Sequence, residues 1–232
     1  EKNGIFVVTA PTTISANKIV IKILENYCDS KTALFLSGGN TPKKFYEEIA
    51  SEKTLKIGAG LMIDERFGEK LHKKSNELII KNTGLLKYFE SRNVRFYPII
   101  GEEESLEKTA LQYDETLRFL LKYFPKTVGI LGIGSDSHTA GIPAAPVIVR
   151  KMLEDQSSLV SNYELEGYGK RITMNFNALS MLDLIIILVL GQEKREALKL
   201  MFAEGPIEEV PSRFYLQPKI AEKTILITDQ IV

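Results

Sequence analysis

Several short segments of the chain are apolar from end to end, and this pattern restricts the fold most. The clearest segment is LIIILVL at residues 184–190, followed by Gly191 and a stretch with apolar residues three and four positions apart. A continuous apolar run is typical of a strand with both faces buried, as in parallel sheets covered by helices. The pattern predicts an α/β fold with a doubly wound, mostly parallel sheet and helices on both faces.

The same strand–turn–helix pattern recurs along the chain. Further apolar runs followed by glycine or charged residues lie in TALFLSGGNTP (residues 32–42), GLMIDERF (60–67) and TVGILGIGSDSH (127–138), and a last strand is predicted in KTILITDQ (223–230). Helices are predicted over residues 14–28, 105–124 and 194–204. Ligands of such sheets bind beyond the carboxyl ends of the strands. The residues directly after each apolar run are therefore the candidates for function.

Length and charge limit the classes of protein to consider. The 232 residues predict one domain, 1–232, large enough to bury a core without disulfides. Thirty basic and thirty acidic residues argue against a broad surface for nucleic acid or anionic membrane, but they allow a local basic pocket. The single cysteine, Cys28, is expected in the core, and it is typical of a reducing compartment.

Other features are absent from the sequence. No signal peptide is visible, and the longest apolar run is too short to span a bilayer, so a cytoplasmic protein is expected. One cysteine and two histidines without ligand spacing predict no metal site. Neither a serine nucleophile elbow nor a dinucleotide fingerprint is present.

The first strand end, FLSGGNTP, combines two glycines with a predicted helix start. Thr41 is a candidate hydroxyl cap and Pro42 a candidate first helical residue. Gly38 and Gly39 would let a ligand approach the backbone, and a helix N-terminus attracts anions. The segment fits a phosphate cradle or a plain tight turn.

The second strand end carries Asp64, Glu65 and Arg66 in succession. They fit either a solvated strand end with an internal ion pair or a cleft in which the guanidinium binds phosphate or carboxylate. Farther along, His72 is expected in a surface loop and Ser75 as a helix cap.

The third and fourth strand ends hold the other scarce groups. Asp136 and His138 are two residues apart, and an imidazole, which titrates near pH 6.5, is suited to take a proton from water. The alternative is a histidine whose ring nitrogens are hydrogen-bonded within a turn.

Lys194 follows Gly191 at a helix start, where the helix dipole disfavours a cation unless an anion binds there. Arg171 by itself does not indicate a function.

Taken together and in this order, the four segments resemble the 6-phosphogluconolactonase family, within the larger group that includes glucosamine-6-phosphate deaminase. The family's SGGSTP corresponds to SGGNTP, its DERxVPPDHxxSN to DERFGEKLHKKSN, and its GxGxDGHTASLFP to GIGSDSHTAGIPA. The family's RIT…AL…G…K corresponds to segments that begin at Arg171 and end at Lys194. The resemblance runs from about residue 5 to the C-terminus.

The resemblance implies hydrolysis of 6-phospho-D-glucono-1,5-lactone without metal or organic cofactor. The sequence leaves open whether the chain is a monomer or a homodimer. The resemblance makes His138 the general base, with Asp136 or Asp64 orienting and polarising it. It implies that the sugar phosphate is bound by the residues Ser37, Gly38, Gly39, Asn40, Thr41, Arg66, Arg171 and Lys194.

Two alternative functions stay open, and the chain also departs from the family pattern. Ser137 stands where the family has glycine, so a positive φ there would strain the loop, and Gly141 replaces a common serine. A glucosamine-6-phosphate deaminase is one alternative, but that family has glutamate where this chain has Pro143. A sugar-phosphate-binding protein without catalysis is the other.

Arg213 is expected on the surface rather than in the pocket.

Overall fold

The apolar runs form a seven-stranded sheet in which all the described pairings are parallel, as the sequence predicts. The computed structural model describes residues 1–102 and 105–231, without the side chain of Asn40. The strands are β1 (Phe6–Thr9), β2 (Thr32–Leu36), β3 (Ala59–Met62), β4 (Asp64–Arg66), β5 (Arg95–Tyr97), β6 (Lys126–Leu131), β7 (Val160–Leu165), β8 (Gly169–Met174), β9 (Leu184–Val189) and β10 (Thr224–Thr228). The order in the large sheet is β1-β10-β9-β6-β2-β3-β5.

Helices connect the strands and cover the sheet. They are α1 (Thr13–Tyr27), α2 (Asn40–Glu52), α3 (Asn76–Asn82), α4 (Leu85–Ser91), α5 (Leu106–Tyr123), α6 (Pro146–Glu154), α7 (Phe176–Ser180), α8 (Arg195–Phe202) and α9 (Pro218–Ala221), with 3₁₀ turns at Gln192–Lys194 and Pro211–Leu216. Every residue of β2, β3 and β9 is buried, as expected for strands covered on both faces. Within the described ranges, no helix is both long and apolar enough to cross a membrane.

The strand register aligns the candidate loops. Leu36 of β2 pairs with Met62 of β3 and with Ile130 of β6, so these strands end at the same edge. The chain runs from β2 outward through β3 to β5, and from β6 outward in the opposite direction through β9. The strand order therefore reverses between β2 and β6, which is where open α/β sheets bind ligands.

A second, small sheet is absent from the sequence-based prediction. Its order is β4-β8-β7, with antiparallel pairing of Asp64 to Thr173 and of Arg66 to Arg171. After β3 the chain leaves the parallel sheet at Ile63 and crosses to this ladder. The residues Asp64 to Arg66 are thus paired strand residues rather than a solvated strand end.

The predicted bounds of α1, α5 and α8 hold to within two residues, but the predicted start of α2 is wrong. Ser75 caps α3 by accepting a hydrogen bond from the Leu78 N–H at 3.1 Å, as predicted. The predicted cap at Thr41 is wrong, because α2 already begins at Asn40 with Gly39 as its N-cap. Gly39 has φ 102°, a left-handed value that favours glycine and turns the chain directly into the helix. Cys28 is buried, as predicted.

Candidate active site

A pocket of about 280 Å³ lies where the chain segments after β2, β3, β6 and β9 meet. Nine of the predicted site residues line it: Ser37, Gly38, Gly39, Thr41, Asp64, Arg66, His138, Arg171 and Lys194. Asp136 is not among the lining residues but contacts His138. Asn40 is also a predicted site residue, but its side chain lies outside the part of the chain that the structure describes. Asn76 and Tyr168 also line the pocket, and no role is predicted for either from the sequence.

The glycine turn after β2 packs directly against the side chain of Asn76. A Cβ at Gly38 would lie 2.1 Å from Cγ of Asn76, so only glycine fits against that side chain. The next residues open α2, whose first backbone N–H groups have no partner within the helix. The Ser37 hydroxyl is buried and has no hydrogen-bond partner among the described residues. This wall therefore presents donors to a ligand.

Residues 66–77, here called the clamped loop, are held by the Glu65 carboxylate. The Glu65 side chain is buried, with 1% of its surface exposed. Its Oε1 accepts hydrogen bonds from the Arg66 and Asn76 N–H groups, both at 2.7 Å. Its Oε2 accepts from the Ser75 hydroxyl at 2.9 Å and from the Glu77 N–H at 2.8 Å. Burial raises the pKa of Glu65, and these four donors partly reverse that rise.

His72 lies in the clamped loop, as predicted, but it is half-buried rather than on the surface. Its Nε2 lies 3.0 Å from the Arg66 carbonyl oxygen, and its Nδ1 accepts a hydrogen bond from the Lys74 N–H at 3.2 Å. Both ring nitrogens are therefore used to close the loop behind Arg66.

Asn76 connects the acidic and basic groups of this wall. Its amide nitrogen donates to the Asp64 backbone oxygen and to Asp64 Oδ2, both at 3.0 Å. Its amide oxygen accepts from Arg66 Nη1 at 2.7 Å. In the sequence, Asn76 is the last residue of the segment DERFGEKLHKKSN. That position alone predicts no chemical role for it.

Three cations face the pocket with one carboxylate. Arg171 Nη1 lies 3.7 Å from Asp64 Oδ2, and both side chains are largely buried. Burial, together with nearby Arg171, lowers the pKa of Arg66. Lys194 is half-buried at the end of its 3₁₀ turn and forms no ion pair within the described ranges. Among the charged lining residues, Arg66, Arg171 and Lys194 outnumber Asp64, so the pocket is suited to an anion.

Residues 132–141, here called the histidine loop, form a second wall of the pocket. His138 Nδ1 lies 2.5 Å from Asp136 Oδ1. A Cβ at Gly134 would lie 2.1 Å from that same nitrogen, so glycine is required there. The Tyr168 hydroxyl donates a hydrogen bond to Asp136 Oδ2. Burial alone would raise the pKa of Asp136, but the hydrogen bonds from His138 and Tyr168 outweigh it and hold that pKa below its usual range.

Ser137, between Asp136 and His138, has the positive φ that is expected to strain this loop. Its φ is 68° and its side chain is fully buried. The Ser137 hydroxyl donates a hydrogen bond to the Ala197 carbonyl of α8 at 3.3 Å, which compensates in part for the left-handed backbone. Gly141 has φ 69°, and a Cβ there would lie 2.7 Å from Cβ of Asp64.

Arg213 does not lie on the surface, so that prediction is wrong. It is buried, and it donates to the Leu200 carbonyl at 3.2 Å and to the Pro206 carbonyl at 3.1 Å. The 3₁₀ turn Pro211–Leu216 folds it against the end of α8, where carbonyl groups lack helical partners. It does not line the pocket.

Comparison with known proteins gives consistent results. The family model for glucosamine-6-phosphate isomerases/6-phosphogluconolactonase matches residues 12–225. The chain is 30% identical over 195 residues to a 6-phosphogluconolactonase of Nostoc sp. (strain PCC 7120), covering 79% of this chain and 77% of the relative. Among solved structures, a 6-phosphogluconolactonase from Shewanella baltica has a TM-score of 0.80 at 20% identity, covering 97% of both chains. The one from Thermotoga maritima has a TM-score of 0.73 at 25% identity, covering 97% and 98%.

Proposed function

Because the chain belongs to the glucosamine-6-phosphate isomerase/6-phosphogluconolactonase family, we propose that it hydrolyses 6-phospho-D-glucono-1,5-lactone to 6-phospho-D-gluconate. One observation carries the proposal. A histidine with a carboxylate on its Nδ1 shares a pocket with three cationic side chains. That combination suits a substrate with an anionic end and an ester that reacts with water.

The phosphate would be bound between α2 and the three cations. At Gly39 an added Cβ would come no nearer than 4.0 Å to the Pro42 ring, so this glycine leaves room for phosphate oxygens beside the free N–H groups of the helix start. Arg66 and Arg171 supply planar, multiply donating groups, and Lys194 supplies a point charge. Anchoring one end of the substrate fixes the lactone carbonyl in the remaining space, beside the histidine loop.

His138 would act as the general base. With Nδ1–H donating to Asp136, Nε2 carries the lone pair, and it accepts no hydrogen bond from the residues that the structure describes. Nε2 takes a proton from water as the water oxygen bonds to C1 of the lactone. The tetrahedral intermediate then expels the ring oxygen by breaking its bond to C1, and the proton from His138 passes to that oxygen. The product is the open-chain acid.

Of the two aspartates proposed to orient His138, the contacts support Asp136. Asp64 is instead engaged by Asn76 and paired with Arg171. We propose that Asp64 orients Arg171 toward the phosphate and does not touch the reacting atoms.

The test is hydrolysis of freshly generated 6-phosphoglucono-1,5-lactone, measured against a blank without protein because the lactone also hydrolyses alone. Glucosamine 6-phosphate, followed by ammonia release, is assayed in parallel. We expect lactone turnover above the blank and no ammonia, since buried Pro143 offers no carboxylate at the position where the deaminases have glutamate. Ammonia release without lactone turnover would support the deaminase alternative. Binding of 6-phosphogluconate without turnover of either would support the binding-protein alternative.

A further inference from the structure

Tyr168 stands at the tip of the hairpin that joins β7 to β8. Glycines with positive φ flank it, Gly167 at 80° and Gly169 at 72°, and they form the tight turn. The Tyr168 N–H donates to the Leu165 carbonyl at 3.0 Å, and Arg171 Nε donates to the Tyr168 carbonyl at 3.2 Å. The hairpin tip is thereby fixed with the Tyr168 ring at the edge of the pocket.

The side chain of Tyr168 reaches the carboxylate that holds His138. Its hydroxyl donates to Asp136 Oδ2, while Asp136 Oδ1 contacts His138 Nδ1. The Tyr168 ring also meets the imidazole edge-on, with centroids 5.9 Å apart and planes at 83°. The two oxygens of Asp136 therefore each have a partner, and the tyrosine covers one side of the pair.

This support matters because the pair is otherwise weakly held. The side chains of His138 and Asp136 are 39% and 45% exposed. Apart from Tyr168 and the imidazole, the described contact of the Asp136 carboxylate is a hydrogen bond from the His138 N–H, at 3.3 Å. A half-exposed carboxylate has several rotamers, and an unanchored one orients an imidazole poorly.

We propose that Tyr168 is a positioning residue that fixes Asp136 and, through it, the tautomer and orientation of His138. The inference rests on the proposed function, in which His138 accepts a proton at Nε2. Tyr168 itself does not take part in proton transfer. Burial, followed by the hydrogen bond to Asp136, raises the pKa of Tyr168 to about 12, so its hydroxyl stays a protonated donor at neutral pH.

The kinetic test compares Tyr168→Phe, which keeps the ring and removes the hydroxyl, with Tyr168→Ala. The matched control is Tyr123→Phe, an exposed tyrosine at the end of α5. We expect kcat for the lactone to fall about tenfold in Tyr168→Phe with KM within about twofold, the loss expected for one hydrogen bond to a charged group. We expect a larger fall in kcat for Tyr168→Ala and no change for Tyr123→Phe.

The second readout needs no substrate. The chain has two histidines, so the imidazole ¹⁵N signals are assigned by comparison with His138→Gln, and His72 serves as an internal reference. In the neutral form we expect the His138 signals to report Nδ1–H in the unsubstituted protein. In Tyr168→Phe they should move toward the mixture of tautomers found in free imidazole.

The two readouts separate the possible failures. Unchanged ¹⁵N signals in Tyr168→Phe would overturn the positioning role, whichever substrate the protein uses. A shifted tautomer without lactone turnover in the unsubstituted protein would retain the positioning role and reject the proposed function. A fall in kcat with unchanged tautomer would contradict the proposal, because Tyr168 would then act directly on substrate.

Discussion

The two histidines of the chain show how differently the two walls of the pocket are built. His72, in the clamped loop, uses both ring nitrogens for backbone groups of that loop. His138, in the histidine loop, has Nδ1 against a half-exposed carboxylate and lines the pocket. An imidazole with both nitrogens bonded closes a turn, whereas one with a free nitrogen in a pocket is available for chemistry.

The same contrast extends to the carboxylates. The Glu65 carboxylate is buried and accepts four hydrogen bonds, three of them from backbone N–H groups. The Asp136 carboxylate is nearly half exposed, and its described donors are the His138 and Tyr168 side chains and one backbone N–H. Substitutions behind the clamped loop should therefore lower stability, and substitutions of the pocket cations Arg66, Arg171 and Lys194 should weaken substrate binding. Substitutions in the histidine loop should lower turnover with little effect on folding. Each prediction below tests this division.

The largest effect is expected for His138→Gln. Loss of the general base should lower kcat for the lactone by about 10²–10⁴-fold, with Tm nearly unchanged because the ring is half exposed. The matched control is His72→Gln, which should lower Tm and leave kcat within about threefold. Steady-state kinetics and thermal unfolding measure both. Equal losses of kcat in the two variants would contradict the contrast between the histidines.

Lys194→Met should weaken substrate binding. Removing one charged partner of the phosphate should raise KM by about 10–100-fold and leave kcat within about threefold. Lys199→Met is the control, because Lys199 lies on α8, is exposed and pairs with Glu196 at 2.7 Å. A normal KM in Lys194→Met would remove Lys194 from the proposed phosphate site.

Glu65→Gln should reduce stability. The amide would turn an NH₂ group toward two of the four donors now bound to the carboxylate, costing about 2 kcal/mol in the free energy of unfolding. Urea unfolding measures the change, and Glu69→Gln, an exposed change in the same loop, is the control. A loss no greater than that of the control would show that Glu65 does not hold the clamped loop.

The smallest effect concerns pH. The pKa of Asp136 is depressed in the folded protein, so its contribution to stability is present above the unfolded pKa and is lost as pH falls below about 4. The difference in Tm between the unsubstituted protein and Asp136→Asn should therefore be larger at pH 6 than at pH 3. A difference that grows on acidification would contradict the sign of this pKa shift.

Much of the fold could be predicted from the sequence because its signals are local. The continuous apolar runs gave the buried parallel strands, and helical periodicity gave α1, α5 and α8 to within a few residues. Family spacing brought together nine pocket residues from four separate segments. The organisation as one domain, 1–232, and the roles of the site residues stay predictions.

The missed features depend on contacts between distant segments. The pairing of β4 with β8 joins residues more than 100 positions apart, and neither strand is apolar enough to signal it. Arg213 resembles a surface residue until the 3₁₀ turn buries it against the end of α8. Tyr168 lies in a polar hairpin turn whose sequence gives no indication that its tip reaches Asp136.

The most direct test of the division between the two walls is the affinity of His138→Gln for 6-phosphogluconate, measured by isothermal titration calorimetry. The product is stable, carries the phosphate and requires no turnover. If the clamped loop and the cations bind the phosphate while His138 performs the chemistry, the dissociation constant of this variant should stay within about threefold of that of the unsubstituted protein. Loss of product binding together with turnover would contradict the account, because His138 would then be part of the binding site itself.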